Sequence, residues 1–455
     1  MPVYYLIPQD VLYFGGGQQP MTPWPVPAVV FDALHAALHR AFPQVQLWER
    51  VHAFGNNGKY PNRKERQQRF GALQTAGPFP SVVQGKQAVW YFPAAVNANA
   101  EPGEKANQPL LFEQLRGGSA GQEPLDRMVK AVSEGRPPAW WTKGGVESWL
   151  AGFQPTVTER CEEATLFERE PVWESQAVVV DQNQRRSVTY LRCRDNVALG
   201  CLASFGLPGP DGADGLARLR SQPSPCLVVG GRQRLCRITE APEEPLEAVL
   251  PISVPEVSER VKWLLLSPAI FPPIKRTSAY PNIQEHPGGW LPNWVCPVSG
   301  QVLLRRGSGA RPQASREEWR AQTRQLPPLN CRLIAASIPP LIAYQGWSER
   351  KHLRLQLRDA RPGPKPACQV VPAGAVYYFE GPDAPELARL LAWHGEQREA
   401  VDHVRHRRST LLGEKGFGLG VCGPWNSLSE GLQQRVTEPA QAVAEGNAPM
   451  TPESS

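Results

Sequence analysis

Residues 412–425, Leu-Gly-Glu-Lys-Gly-Phe-Gly-Leu-Gly-Val-Cys-Gly-Pro-Trp, set Gly413, Gly416, Gly418 and Gly420 close together, with Lys415 and Phe417 among them. Glycine lets a backbone come close to a polyanion and turn its N–H groups toward phosphates. Phe417 offers a ring on which a base can stack. Arg407 and Arg408, at the end of the basic run His403-Val-Arg-His-Arg-Arg408, add cations just upstream. The chemistry is nucleic-acid binding rather than bond-making. The segment is not a P-loop, because Gly-x-x-x-x-Gly-Lys-Ser/Thr is absent. It is not a Rossmann fingerprint either, since no acidic residue follows on a strand about 20 residues on. The competing reading is a plain surface turn between strands.

Further residues of the same character lie elsewhere. Lys59-Tyr-Pro-Asn-Arg-Lys-Glu-Arg-Gln-Gln-Arg69 carries five positive charges against one negative, so Lys59, Arg63 and Lys64 could clamp RNA, with Tyr60 to stack; the alternative is a solvated charged face. Arg305, Arg306, Arg311, Arg316, Arg320 and Arg324 form a similar run diluted by Glu317 and Glu318. Phe14 precedes a pliable turn, Gly15-Gly-Gly-Gln18. Lys275, Arg276 and Gly288-Gly-Trp290 are expected to line the same groove, Trp290 serving equally well in a core. His35 and His39 have a metal-capable helical spacing but no third ligand nearby, so no metal or cofactor is expected. No Ser/His/Asp set, Gly-x-Ser-x-Gly or Asp-rich metal motif is present, and nothing singles out His35, His52 or Tyr60 as acid–base groups for RNA cleavage.

The elements that must position these residues are mostly short. The chain has 455 residues, room for two or three domains, and its 48 prolines are about twice the usual share. Strands are expected at 3–7, 10–14, 87–95, 176–181, 186–193, 226–230, 234–238, 247–254, 329–337 and 375–379, with 261–266 the best buried one. Helical spacing marks 28–42, after Pro27, and 385–394. The segments 98–125 and 206–225 read as Pro/Gly-rich loops, and the tail 434–455 as disordered. The pattern is α+β. Net charge is +6, mildly suited to an anionic partner. Nine scattered cysteines without a C-x-x-C pair read as reduced thiols. With no signal peptide and no apolar run of about 18 residues, a cytoplasmic protein without a membrane span is expected.

Several separated segments, in order, resemble one family: the Cmr-module RAMP subunit that holds the 5′ end of the guide RNA in type III-B CRISPR effectors. They are Leu6-Ile-Pro-Gln-Asp-Val-Leu-Tyr-Phe14, Gly77-Pro-Phe-Pro80 with Tyr91-Phe-Pro-Ala94, Pro138-Ala-Trp-Trp141 with Ser148-Trp-Leu-Ala-Gly152, and Gly230-Gly-Arg-Gln-Arg234, which adds Arg232 to the candidate contacts. The best block runs Leu265-Leu-Ser-Pro-Ala-Ile-Phe271, Gly288-Gly-Trp-Leu-Pro292, Leu333-Ile-Ala-Ala336, Gly346-Trp347, Val371-Pro-Ala-Gly-Ala-Val-Tyr-Tyr-Phe379 and Gly416-Phe-Gly-Leu-Gly420. One departure is plain: the family's first loop carries an Arg-Asp-Gly-Arg-like sequence, where this chain has Gly15-Gly-Gly-Gln-Gln19.

The resemblance implies two ferredoxin-like (RRM-like) RAMP modules with long Pro/Gly-rich and basic insertions, 1–215 and 216–433, the second ending in the glycine loop. It implies a non-catalytic crRNA-binding subunit of an antiviral ribonucleoprotein. Its partners would be the guide's repeat-derived 5′ tag, the large polymerase-like subunit and a backbone RAMP subunit, with target RNA touched only indirectly. Two other functions stay open: a metal-independent guide-processing RAMP endoribonuclease, and a scaffold subunit that touches no RNA.

Overall fold

The computed structural model describes residues 2–14, 24–41, 73–85, 87–97, 110–111, 140–175, 185–204, 215–221, 225–230, 234–240, 246–252, 257–276, 278, 281–282, 284–305, 325–344, 347–348, 363–364, 367–393 and 409–425. The basic stretches 51–71 and 306–324, the strand expected at 176–181 and the tail 434–455 lie outside them.

Two antiparallel sheets carry the fold. In the first, β1 (Val3–Pro8), β2 (Gln74–Gln84), β3 (Val197–Ser204) and β4 (Leu235–Glu240) stand in the order β4-β1-β3-β2. Strand Cys226–Val228 lies outside β4, and Gln87–Pro93, Trp140–Thr142 and Arg160–Cys161 continue the sheet beyond β2. Helix α1 (Pro27–Ala41) joins β1 to β2, and α3 (Gly215–Arg220) joins β3 to β4; α2 (Lys143–Leu150) sits in the long excursion between β2 and β3. The second sheet orders β5 (Arg260–Leu265), β6 (Arg332–Ser337), β7 (Val376–Glu380) and β8 (Gly420–Pro424) as β8-β5-β7-β6, with Leu110–Leu111 outside β6. Helix α4 (Ala384–Leu391) links β7 to β8.

Side-chain alternation explains how the sheets meet. In β1, Tyr4 and Leu6 face α1, whose Val30, Leu34 and Leu38 recur at helical spacing, while Val3 and Tyr5 face the other way. That second face shares one core with Leu264, Ile334, Tyr378 and Val421 of the second sheet and with Trp149 and Leu150 of α2. The opposite face of the second sheet packs Trp263, Tyr377 and Phe379 under Leu387, Leu390 and Leu391 of α4. With both faces buried, the strands read as near-continuous apolar runs.

Three expectations change. The hairpin Cys226–Val228 with β4 pairs with β1, so the first sheet extends past the boundary placed at 215 and takes in residues up to Glu240. Leu246–Val249 is a helical turn, not the start of a strand over 247–254; Leu, Glu and Ala are strong helix formers. Two central strands carry no strand signature. Glycine and two prolines interrupt β2, and β3 reads Val-Ala-Leu-Gly-Cys-Leu-Ala-Ser. No helix among the described residues is long and apolar enough to cross a membrane.

Candidate nucleic-acid interface

The glycine loop is a seam inside the molecule. Leu412 (φ 57°) opens a tight 3₁₀ turn, and Gly416 (φ 101°) and Gly418 (φ 75°) follow in left-handed conformations. Its N–H groups are already committed. Those of Lys415 and Phe417 donate to Leu412 O (2.9 and 3.4 Å), Gly416 N to Gly413 O (3.0 Å), Gly418 N to Pro268 O (2.8 Å), and Leu419 N to Ser267 Oγ (2.8 Å). A phosphate cradle needs such groups turned outward.

The loop's carbonyls are tied as well: Thr75 Oγ1 of β2 donates to Lys415 O (3.0 Å) and Ser267 Oγ to Gly416 O (2.7 Å). Lys415 Nζ pairs with Asp32 of α1 at 2.6 Å and lies over the Phe31 ring. Phe417 is fully buried against Ala28, Ile270 and Val370, its ring 5.8 Å from that of Tyr344, so it offers no face to a base. Gly420 starts β8, where a Cβ would overlap Trp263 Nε1. The glycines serve close packing between the two sheets, and the phosphate-cradle reading of Lys415, Gly416, Phe417, Gly418 and Gly420 is corrected accordingly.

A different corner holds Phe14. Phe14 is half-buried and meets Gly230 (φ 73°), where a Cβ would crowd Tyr13 O and the Phe14 ring. Two stretches more than 200 residues apart in sequence therefore touch. Arg234 holds Asp10 through Nη1 at 2.5 Å, and its guanidinium lies 5.6 Å from the centre of the Tyr190 ring. Tyr13 and Tyr190 pack at 5.4 Å, and Gln9 N donates to Leu235 O (3.0 Å). The segments 15–23 and 231–233, with Gly15, Gly16, Gly17, Gln18 and Arg232, continue the chain from here outside the described residues, as do Lys59, Arg63, Lys64, Arg407 and Arg408 elsewhere.

Lys275 and Arg276 are exposed on the long connection after Phe271, where Arg276 N donates to Glu285 Oε1 (3.1 Å). No contact among the described residues joins them to the Phe14 corner. Trp290 is a core residue, buried, with its carbonyl accepting from Tyr377 OH (2.6 Å). Sequence reading missed Asp10, Tyr190 and the serine and threonine ties of the glycine seam. The Leu6–Phe14 and Gly230–Arg234 motifs were the signals of this corner.

His286 braces the same connection. One ring nitrogen, Nε2, donates to Val295 O (2.9 Å) and the other, Nδ1, accepts from Gly288 N (2.9 Å), a neutral tautomer; burial holds its pKa below the ordinary 6.5. Protonating Nδ1 sets two donors against each other. Because the unfolded chain takes up this proton first, the stabilisation is complete above about pH 6.5 and is lost as pH falls from there through the lower folded value. Urea unfolding at pH 7.5 and 5.5 should show a larger acid loss for the wild type than for His286→Asn; equal losses would remove His286 from the account.

The family model for CRISPR-associated protein (Cas_Cmr3) matches residues 4–425. No curated protein matches the chain. Among solved structures, a chain of the type III-B Cmr-beta complex bound to cognate target RNA is 10% identical at a TM-score of 0.28, over 83% of this chain and 86% of that one. A chain of the Csm3–Csm4 subcomplex of the type III-A interference complex is 10% identical at 0.32, over 84% and 96%. One of the Csm1–Csm4 cassette in complex with AMPPNP is 14% identical at 0.26, over 60% and 78%. The chain belongs to the Cas_Cmr3 family of CRISPR-associated proteins.

Proposed function

We propose that this chain is the non-catalytic guide-binding subunit of a type III-B effector, holding the repeat-derived 5′ tag and bridging the large polymerase-like subunit to the RAMP backbone. Its two sheets, ordered β4-β1-β3-β2 and β8-β5-β7-β6, support reading it as two ferredoxin-like modules. The observation that supports the RNA reading is the meeting of Phe14 and Gly230, which brings together two segments more than 200 residues apart in sequence. Phe14 stacks on a splayed base; Arg232, Lys275 and Arg276 neutralise phosphates, and recognition is by shape and charge.

The test is tag-RNA binding across a salt series. Losing one stacked base costs about 1–3 kcal/mol, so Phe14→Ala should weaken binding by about fivefold or more. Arg232→Ala should reduce the salt slope by about 0.7, one single-strand phosphate contact. Wild-type affinity and slope in both variants would sink the assignment. The scaffold reading is favoured by one observation, the complete internal use of the glycine loop; in it, neither variant alters crosslinking to the guide in the assembled complex.

A further inference from the structure

Arg234 stands where three stretches of chain meet, and a different part of it holds each one. Its carbonyl accepts from Val229 N (2.9 Å) and closes the turn that Gly230 opens at the foot of β4. Its Nη1 donates to Asp10 Oδ2 (2.5 Å) on the connection after β1, and Asp10 Oδ1 accepts from Val11 N (2.7 Å), which fixes the carboxylate. Its guanidinium lies over the ring of Tyr190, in strand Arg185–Cys193 of a separate three-stranded sheet. In that sheet Tyr190 pairs directly with Tyr13, the residue before Phe14.

Stability does not account for an arginine here. The pair is open to solvent, with 28% of the Arg234 side chain and 57% of the Asp10 side chain exposed, and exposed ion pairs contribute little. Arg234 Nε is buried and has no hydrogen-bond partner among the described residues, and an unmade bond to a buried donor is a loss. Methionine would cover the Tyr190 ring without that loss. What arginine alone supplies is a flat fork that can bind a carboxylate at one end and stack its face on a ring. Such a fork fixes the angle and the distance between the groups it joins.

The group that those constraints converge on is Phe14. Its backbone follows Tyr13, which the Tyr190 pairing holds, and its ring rests against Gly230, in the turn that the Arg234 carbonyl closes. Arg234 therefore grips both sides of Phe14 without touching it in any described contact. The charge of Arg234 is matched by Asp10, so the pair as a whole gives an RNA phosphate little to bind.

We infer that Arg234 is a positioning residue for Phe14: it locks the connection after β1 to the 229–234 turn, so that the ring is already in place when a base of the tag RNA stacks on it. Order established before binding does not have to be established during it, and affinity rises accordingly. The inference rests on the RNA reading of the Phe14 corner given under the proposed function.

The experiment measures affinity of the full chain for single-stranded tag RNA across a salt series, in single variants and in combination with Phe14→Ala. Arg234→Gln should weaken binding by about twofold to tenfold, the effect of leaving one side chain to be ordered on binding, with no change in salt slope. Arg234→Lys keeps the charge but not the flat face, and should lose about as much. Asp10→Asn should weaken binding too, whereas it would strengthen binding if Arg234 were a phosphate contact that Asp10 holds back. In the Phe14→Ala background, Arg234→Gln should cost nothing further, because there is no ring left to place. The melting temperature of each variant checks that it is folded, and a merely structural role would give additive losses. Wild-type affinity in Arg234→Gln, losses that add to that of Phe14→Ala, a salt slope reduced by about 0.7, or tighter binding in Asp10→Asn would each overturn the proposal. Wild-type affinity in Phe14→Ala itself overturns the RNA reading of this corner, and the positioning role with it; a weakened Phe14→Ala beside an unaltered Arg234→Gln overturns the positioning role alone.

Discussion

Gly418→Ala is expected to destabilise the fold by about 4 kcal/mol, although it adds one methyl group to a loop that looks permissive in sequence. Two costs combine. The left-handed backbone (φ 75°) costs an L-residue about 1–2 kcal/mol. The new Cβ also overlaps the Ser409 backbone nitrogen, and overpacking typically costs about 1–3 kcal/mol. Ser409 has nowhere to go, because its Oγ accepts from Ile270 N (2.8 Å) and donates to Leu411 O (2.6 Å). Gly85 supplies the control: its φ is 61°, but nothing lies within 4 Å of an added Cβ, so alanine there costs the strain alone, about 1–2 kcal/mol. Urea unfolding of both variants measures the difference. Equal costs would mean that the glycine seam is slack. If RNA binding falls in Gly418→Ala, it should recover once normalised to the folded fraction, since the loss follows unfolding rather than a missing phosphate contact.

This loop shows where sequence reading stops. Glycine spacing reports that the backbone must turn or come close to something, but not to what. Here the neighbour is Thr75, Ser267 and Ser409 of the chain itself, and no local pattern foretells partners 340 and 149 residues away. Elements with a clear period were legible: the buried run around Val261–Leu265, the helix over α1 and the amphipathic α4 all stand within a residue or two of their expected limits, except that α4 stops at Leu391. Strand β2 was hidden because Gly77, Pro78 and Pro80 look like a turn; within the sheet their neighbours Ala76 and Phe79 face the shared core. Helix α2 was hidden by its two glycines, which the approach of Glu159 requires. The boundary near 215 failed for a topological reason. A Pro/Gly-rich stretch reads as a linker, yet β4 returns across it to pair with β1, the most distant strand of its own sheet in sequence.

The second large effect concerns Lys262, whose place in β5 puts a charge on the face shared by the two sheets. Strand alternation turns Val261, Trp263 and Leu265 toward α4, and so turns Lys262 toward α2. Its ammonium donates to Trp149 O (2.8 Å) and lies 4.0 Å from the centre of the Trp149 ring. Burial pulls its pKa from 10.5 to about 8, so it is charged at pH 7 and the charge is costly. At 1.36 kcal/mol per unit, the fold gives up about 3 kcal/mol relative to a neutral amine. That loss is present in full below pH 8 and disappears as pH rises from about 8 to 10.5, where the folded chain has released its proton and the unfolded chain has not.

Lys262→Met fills the same space without the charge. Trp149 O stays satisfied by Gly152 N (3.1 Å), and what is lost is the ring contact, roughly 1–2 kcal/mol. The variant should therefore be about 1–2 kcal/mol more stable than the wild type at pH 7, with the advantage reversed by pH 10. Only the difference between the two proteins is diagnostic. Cys201 and Cys331, pushed up to about 12 by burial, push each protein's stability down over the same range. A difference curve that is flat between pH 8 and 10.5 would mean that Lys262 keeps its ordinary pKa and that the seam holds enough water to solvate it.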